Sequence, residues 1–233
     1  MWGPISDDTV KGLVAQLPGL GISQRSRVLD LGCGPAELLR RVCEETGASG
    51  IGVDMSPLAI EVARRRIAAS PARARIELHV GDATALDPDG SHDLAICIGP
   101  GWSTGGWTAM TSWASAFARA GGLLLLGDTA WRTDPPADAL TSFGMSKDAY
   151  ILAADVERTV SASGAAVAWS HRAGRDEWNA YADAYRSSMR RFVRDHPGEP
   201  ITPAVRDRAE AGWSQYELLH ELLDFVLVLA RTA

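Results

Sequence analysis

The chain has 233 residues, 46% hydrophobic and 22% charged, enough to bury the core of one α/β domain spanning residues 1–233. Its 29 acidic and 23 basic residues leave a formal charge of −6, which argues against the basic surface of a nucleic-acid-coating protein. No apolar run approaches the length of a bilayer span, so no membrane partner is expected.

MWGPISDDTV lacks the basic and apolar regions of a signal peptide. Cys33, Cys43 and Cys97 are odd in number and outside C-x-x-C spacing, suggesting neither a disulfide framework nor a zinc site. A cytoplasmic location and no metal are therefore expected. Ser6 followed by Asp7 and Asp8 starts a helix, and Val10, Leu13, Val14 and Leu17 give it one apolar face before Pro18-Gly19. Strand and helix then alternate. Val28–Leu31 reads as strand, Ala36–Glu45 as helix and Gly50–Asp54 as strand. Ser56-Pro57 opens a helix through Ile67. Ile76–Val80 and Asp93–Ile98 are strands, Thr108–Ala118 a helix, Gly121-Gly122 a turn and Leu123–Gly127 a fifth strand. Such alternation predicts a parallel sheet covered by helices on both faces.

Beyond it, Ser146–Ser163 reads as helix and Ala165–His171 as strand, and Phe225–Leu229 is the last strand. A helical insertion, 177–223, interrupts the final two strands. A break at His196–Pro200 divides it.

In open parallel sheets, ligands bind beyond the carboxyl ends of the strands. In VLDLGCGPAELL, Gly32 and Gly34 lie at the turn after the first strand, but the third glycine of a dinucleotide loop is replaced by Glu37. A carboxylate there repels a pyrophosphate unless a cation intervenes, and no Walker lysine follows. Asp30 ends the first strand, where it suits an ammonium. Asp54 ends the second, the place of a ribose-binding carboxylate, and Met55 can pack on an adenine. Gly81-Asp82-Ala83 ends the third strand, where Asp82 can accept from an exocyclic amine.

With these motifs in order, the sequence resembles the class I S-adenosylmethionine-dependent methyltransferases. VLDLGCGPAELL is similar to their D-x-G-x-G-x-G motif, with Ala36 at the last glycine. GVDMS, GDATAL and HDLAICIG resemble the next three motifs. The resemblance implies a Rossmann-like sheet of parallel strands with an antiparallel last strand and S-adenosyl-L-methionine as cofactor. Asp30, Gly32, Cys33 and Gly34 would lie by its methionine part, Asp54 and Met55 by the ribose and adenine, Asp82 and Ala83 by the adenine, and Ile98 and Gly99 by the sulfonium. Gly99-Pro-Gly-Trp102-Ser-Thr-Gly105-Gly106, LLLLGDTAW and Trp178-Asn-Ala-Tyr181 resemble a bacterial subgroup acting on small molecules, in which a glutamate often stands where this chain has Ala182.

Three residues are candidates for a general base. Asp128 follows the fifth strand, with a loop cap as the competing reading. His171 ends the sixth strand and faces away from the ligand edge if that strand is antiparallel. Tyr181 sits on the insertion. Trp102, Trp107 and Trp131, expected on loops at the ligand edge, and Trp178 of the insertion are candidate substrate-binding aromatics. The alternatives are a nucleotide-dependent oxidoreductase, a binding module that does not turn over, and an enzyme that uses the cofactor without methylating.

Overall fold

A computed structural model describes residues 3–233, except the side chains of Trp102, Phe143 and residues 211–219. Helix α1 (Asp7–Gln16) begins on Ser6, whose hydroxyl accepts from the Thr9 N–H at 3.0 Å. The alternating region follows as β1 (Arg27–Leu31), α2 (Glu37–Thr46), β2 (Ser49–Asp54), α3 (Pro57–Ala68), β3 (Ile76–Val80) and β4 (His92–Ile98). It continues through α4 (Gly101–Thr104), α5 (Trp107–Ser115) and β5 (Ala118–Trp131). The remainder comprises α6 (Ala137–Phe143), α7 (Val156–Ala162), β6 (Ala166–Arg172), α8 (Arg175–Asp195), α9 (Thr202–Leu222) and β7 (Leu223–Arg231).

Seven strands form one sheet in the order β3-β2-β1-β4-β5-β7-β6. The pairs β3–β2, β2–β1, β1–β4 and β4–β5 are parallel, while β7 runs antiparallel to both β5 and β6. Strand order reverses at β1 and β4, where connections leave toward opposite faces and open a crevice. Helices α1, α2 and α3 bury one apolar face, with Leu13, Leu39 and Ile60 fully enclosed, while α5 and α7 cover the other through Met110 and Val156. At about 25 cal/mol per Å² of apolar surface, this burial is the main favourable contribution to folding.

Local sequence explains the tight fit of α2 on β2. A Cβ at Gly50 would come within 2.7 Å of Leu39, and one at Gly52 within 2.9 Å of the Cys33 sulfur. Only a glycine leaves room for the helix at that distance. Ala36, at the start of α2, holds φ 53°, the left-handed geometry for which glycine is the usual residue.

Four expectations change. The helix expected over Ser146–Ser163 forms only as Val156–Ala162, because Ile151 accepts the Trp131 N–H at 2.8 Å and Leu152 bridges to Trp131. Tertiary pairing overrides local helix propensity there. The fifth strand extends well beyond Leu123–Gly127, because β7 pairs with it from Leu123 to Trp131, so Asp128 lies inside the strand opposite Val226 and does not follow it. Gly121-Gly122 accordingly lies inside β5, near a register shift against His92 and Leu94, rather than in a turn before it. Trp107 and Trp131 are not loop residues: Trp107 begins α5 and Trp131 ends β5.

The ends of β5, β6 and β7 are tied by charge. Asp224 is buried and accepts from Arg132 Nε at 2.9 Å and from the Arg172 guanidinium. A buried carboxylate is tolerable when paired in this way. Helices α8 and α9 form the insertion between β6 and β7 and pack on each other.

Candidate functional site

The turn from β1 to α2 is built on backbone bonds to β2. Gly32 and Cys33 N–H groups donate to the Val53 carbonyl at 2.9 and 3.0 Å, and Gly34 N–H donates to Asp54 Oδ2 at 2.8 Å. Gly32 and Gly34 hold φ 80° and 52°, so the turn curls back without strain and leaves no side chain over the crevice. The other Asp54 oxygen accepts the Ser56 N–H at 2.9 Å. Each oxygen keeps a second lone pair for a ligand hydroxyl.

This turn floors a cavity of about 290 Å³ lined by Asp30, Gly32, Cys33, Gly34, Asp54, Ile98 and Gly99 among others. An adjoining cavity of about 270 Å³ shares Gly32, Asp54, Ile98 and Gly99 and adds Met55, Asp82 and Ala83. The structure thus places all ten residues expected at the cofactor along two spaces that share part of their lining. Asp30 is 4% exposed, with no hydrogen-bond partner among the described residues, and burial followed by the Asp54 charge pushes its carboxyl up to about 7. Asp82 is held below the usual carboxylate range by the Thr84 hydroxyl and N–H, which donate to Oδ1 at 2.7 and 2.9 Å. Burial raises the Cys33 thiol, so it stays protonated.

The first cavity also takes residues that the sequence did not single out as site residues. Gly3, Ile5, Val10 and Leu13 from the N-terminal segment form one wall, and Leu227 of β7 lies among the lining. The apolar face of α1 was visible as periodicity, but periodicity cannot distinguish a core face from a cavity wall. Glu37 lines the same cavity, bonded to Arg40 at 2.8 Å and Arg41 at 2.8 Å, with Arg66 at 3.2 Å. Burial opposes ionisation of Glu37, yet these guanidiniums hold its carboxyl below the usual range. Cations therefore do intervene at Glu37, which weakens the repulsion toward a pyrophosphate expected from sequence.

Leaving Trp102 aside, the acid–base and aromatic candidates are not among the residues that line those two spaces. Asp128 and Trp107 line a third cavity, of about 270 Å³, with Gly101 and Tyr150. Both Asp128 oxygens are engaged, Oδ2 by the Gly101 N–H and Oδ1 by the Thr129 N–H, each at 2.6 Å. Burial raises the Asp128 carboxyl while those two N–H groups oppose the shift. Trp107 is buried, its indole N–H donating to the Thr129 carbonyl at 3.0 Å. Trp131 is 2% exposed and donates to the Lys147 carbonyl at 2.7 Å. Trp178 belongs to the same buried cluster, with Phe225 and Leu227. The Trp102 side chain lies outside the described residues.

Strand β6 runs antiparallel to β7 and hence alongside β5 in direction, so His171 ends at the ligand edge. His171 Nε2 is 2.6 Å from Glu177 Oε2, and its ring stacks on Trp169. Tyr181 stacks on Tyr185 and lines a fourth cavity, of about 390 Å³, that shares Gly3 and Ile5 with the first. Burial, then Tyr185, raises its phenol.

A sequence profile described as a methyltransferase domain matches residues 28–122. A SAM-dependent methyltransferase from Geobacter sulfurreducens, solved in complex with S-adenosyl-L-homocysteine, is 26% identical with a TM-score of 0.90, covering 100% of this chain and 94% of that one. A SAM-dependent methyltransferase from Thiobacillus denitrificans, also solved with S-adenosyl-L-homocysteine, is 25% identical at a TM-score of 0.88, over 100% and 94% of the two chains. The Escherichia coli (strain K12) protein YjhP is 27% identical over 78% of this chain and 74% of its own length.

One position beside the site tolerates no side chain. A Cβ on Gly101 would stand 1.9 Å from Asp128 Oδ2. Gly101→Ala is expected to expel that carboxylate and cost about 1–3 kcal/mol, the scale of a lost charge-assisted bond. Chemical denaturation checks this, and an unchanged midpoint would contradict it.

Proposed function

As the chain belongs to the class I S-adenosylmethionine-dependent methyltransferases, we propose that it transfers the methyl group of S-adenosyl-L-methionine to a small-molecule acceptor. The observation that carries the cofactor assignment is the Asp30 carboxylate, buried, without a partner among the described residues, and lining the cavity beneath Gly32 and Gly34. Its chemistry fits the α-ammonium of the cofactor. Asp54 fits the ribose hydroxyls, and Asp82 with the Ala83 backbone fits the adenine amine, with Met55 exposed beside the ring's place. Cys33, Ile98 and Gly99 complete the lining near the sulfonium.

When bound, the cofactor supplies an electrophilic methyl group for in-line displacement. The protein's contribution is alignment and exclusion of water. Asp30 and Asp82 suit the two ends of the ligand and Asp54 its ribose, while Ile5, Val10, Leu13, Ile98 and Leu227 present an apolar wall. The insertion 177–223 caps the acceptor side of this single-domain enzyme. His171, near the end of β6, and Tyr181, in the cavity that shares Gly3 and Ile5, are our candidates for taking the acceptor's proton. We assign Asp128 to holding the loop that begins at Gly101, since both its oxygens already accept backbone N–H groups. Trp131 and Trp178 anchor the insertion, and Trp107 walls the cavity beside Asp128.

Incubation with methyl-labelled S-adenosylmethionine and a panel of neutral and cationic small molecules is expected to yield S-adenosylhomocysteine and a product one methylene unit heavier. A product of unchanged mass would instead mark a non-methylating use of the cofactor.

The Asp30 assignment has a pH signature. A bound ammonium selects the ionised carboxylate, and the free protein's carboxyl titrates at about 7. Binding below that value has to remove a proton, so S-adenosylhomocysteine affinity should rise about ten-fold per pH unit toward pH 7, then level off. Asp30→Asn should weaken binding and flatten the profile. Calorimetry reads both, and a pH-independent wild-type affinity would overturn the assignment.

A further inference from the structure

The N-terminal residues Gly3 and Ile5 line both the cavity holding Asp30 and the cavity holding Tyr181, so this short segment borders both. One carboxylate far away in the chain fastens it. Glu177 Oε1 accepts the Ser6 N–H at 2.6 Å and the Thr9 hydroxyl at 2.8 Å. Oε2 meets His171 Nε2 at 2.6 Å and accepts the Gly174 N–H at 3.1 Å. Four partners thus converge on one side chain from the start of α1, the end of β6 and the residue preceding α8.

Its placement suits an ionised group. Glu177 lies in the first turn of α8 and also meets the first turn of α1, so two helix N-termini direct positive dipole ends toward it. Burial alone would raise its carboxyl, but the Ser6 N–H, His171, the Thr9 hydroxyl and the Gly174 N–H together hold it at about 2. The bonds are therefore charge-assisted near neutrality, roughly twice as strong as neutral ones. Asp7, one residue past the cap, is bridged to Arg41 of α2 at 2.6 Å, which fixes the same helix end from its other side.

We infer that Glu177 is a positioning residue that locks the N-terminal wall of the cofactor cavity to the base of the helical insertion. This inference rests on the cofactor reading above. Glu177 touches neither ligand in that reading; it acts through Ser6 and Thr9 on the wall formed by Gly3, Ile5, Val10 and Leu13. Cofactor binding and the insertion that covers the acceptor are thereby joined through one carboxylate.

The test uses the full chain with S-adenosylhomocysteine as probe. Glu177→Gln keeps the shape but removes the charge and turns an amide donor toward donors. Thr9→Val removes one hydroxyl from the opposite side. Hydrogen exchange of residues 3–14 in the unliganded Gln variant should be about ten-fold faster than in wild type, and S-adenosylhomocysteine affinity about ten-fold weaker. Thr9→Val should move both readouts in the same direction by less, and Glu177→Asp should recover part of the loss. A fall in melting temperature alone, with exchange of 3–14 and affinity both at wild-type values, would reduce Glu177 to a stability role and overturn the inference. Should Glu177→Gln fail to fold, the same two readouts on Thr9→Val decide between these outcomes. Wild-type protein that binds no S-adenosylhomocysteine would sink the cofactor reading and with it the inferred role toward the cofactor, while exchange of the unliganded variants would still report whether Glu177 holds the wall.

Discussion

A carboxylate buried at the tip of β1 with no ion-pair or hydrogen-bond partner among the described residues is the constraint that organises this molecule. Burying Asp30 beside Asp54 costs free energy, as its upward-shifted carboxyl shows. Such a cost persists in a fold when a ligand of opposite charge offsets it, and functional sites are where it concentrates. The sheet makes the arrangement possible. Parallel β2, β1 and β4 end side by side, so the acids at the tips of β1 and β2, with Asp82 just past β3, line one crevice.

Around that constraint other half-buried or buried acids have close partners. Glu37 is surrounded by Arg40, Arg41 and Arg66, Asp224 by Arg132 and Arg172, and Glu177 by His171 and three donors of the chain. Asp30 stands out because it is as buried as Asp224 yet lacks such company. The comparison with Asp224 separates structural acids from the candidate ligand acid: one ties strand ends together, the other faces an open cavity.

Much of the crevice's lining was legible because it is local. Gly32 and Gly34 follow Asp30 within one turn, Asp54 ends the next strand, and Asp82 follows the one after; spacing along the chain maps directly onto neighbouring strand tips. What failed to show was non-local. Nothing near Glu177 in sequence announces a bond to Ser6 across 171 positions. The stretch around Tyr150 has helical periodicity, but it pairs instead with Trp131, which also carries β5 past its expected end. Trp107 and Trp131 looked like aromatics on loops because the partners that bury them, β7 and the 147–152 segment, come later in the chain. Position 36 shows the opposite case: an alanine where the motif has glycine, and a left-handed φ that the motif implied.

In the proposed reading, the crevice at the tips of β1 and β2 accepts an adenosine ligand bearing an ammonium and no phosphates. The intervening arginines at Glu37 mean that sequence charge alone no longer rules out a dinucleotide, so direct competition decides. Calorimetric titration of the full chain at neutral pH with S-adenosylhomocysteine, alone and with NAD⁺ present in excess, and with NAD⁺ alone, reads that competition. Saturable binding of S-adenosylhomocysteine that NAD⁺ does not displace is the expected result. Saturable NAD⁺ binding with no heat from S-adenosylhomocysteine would contradict it.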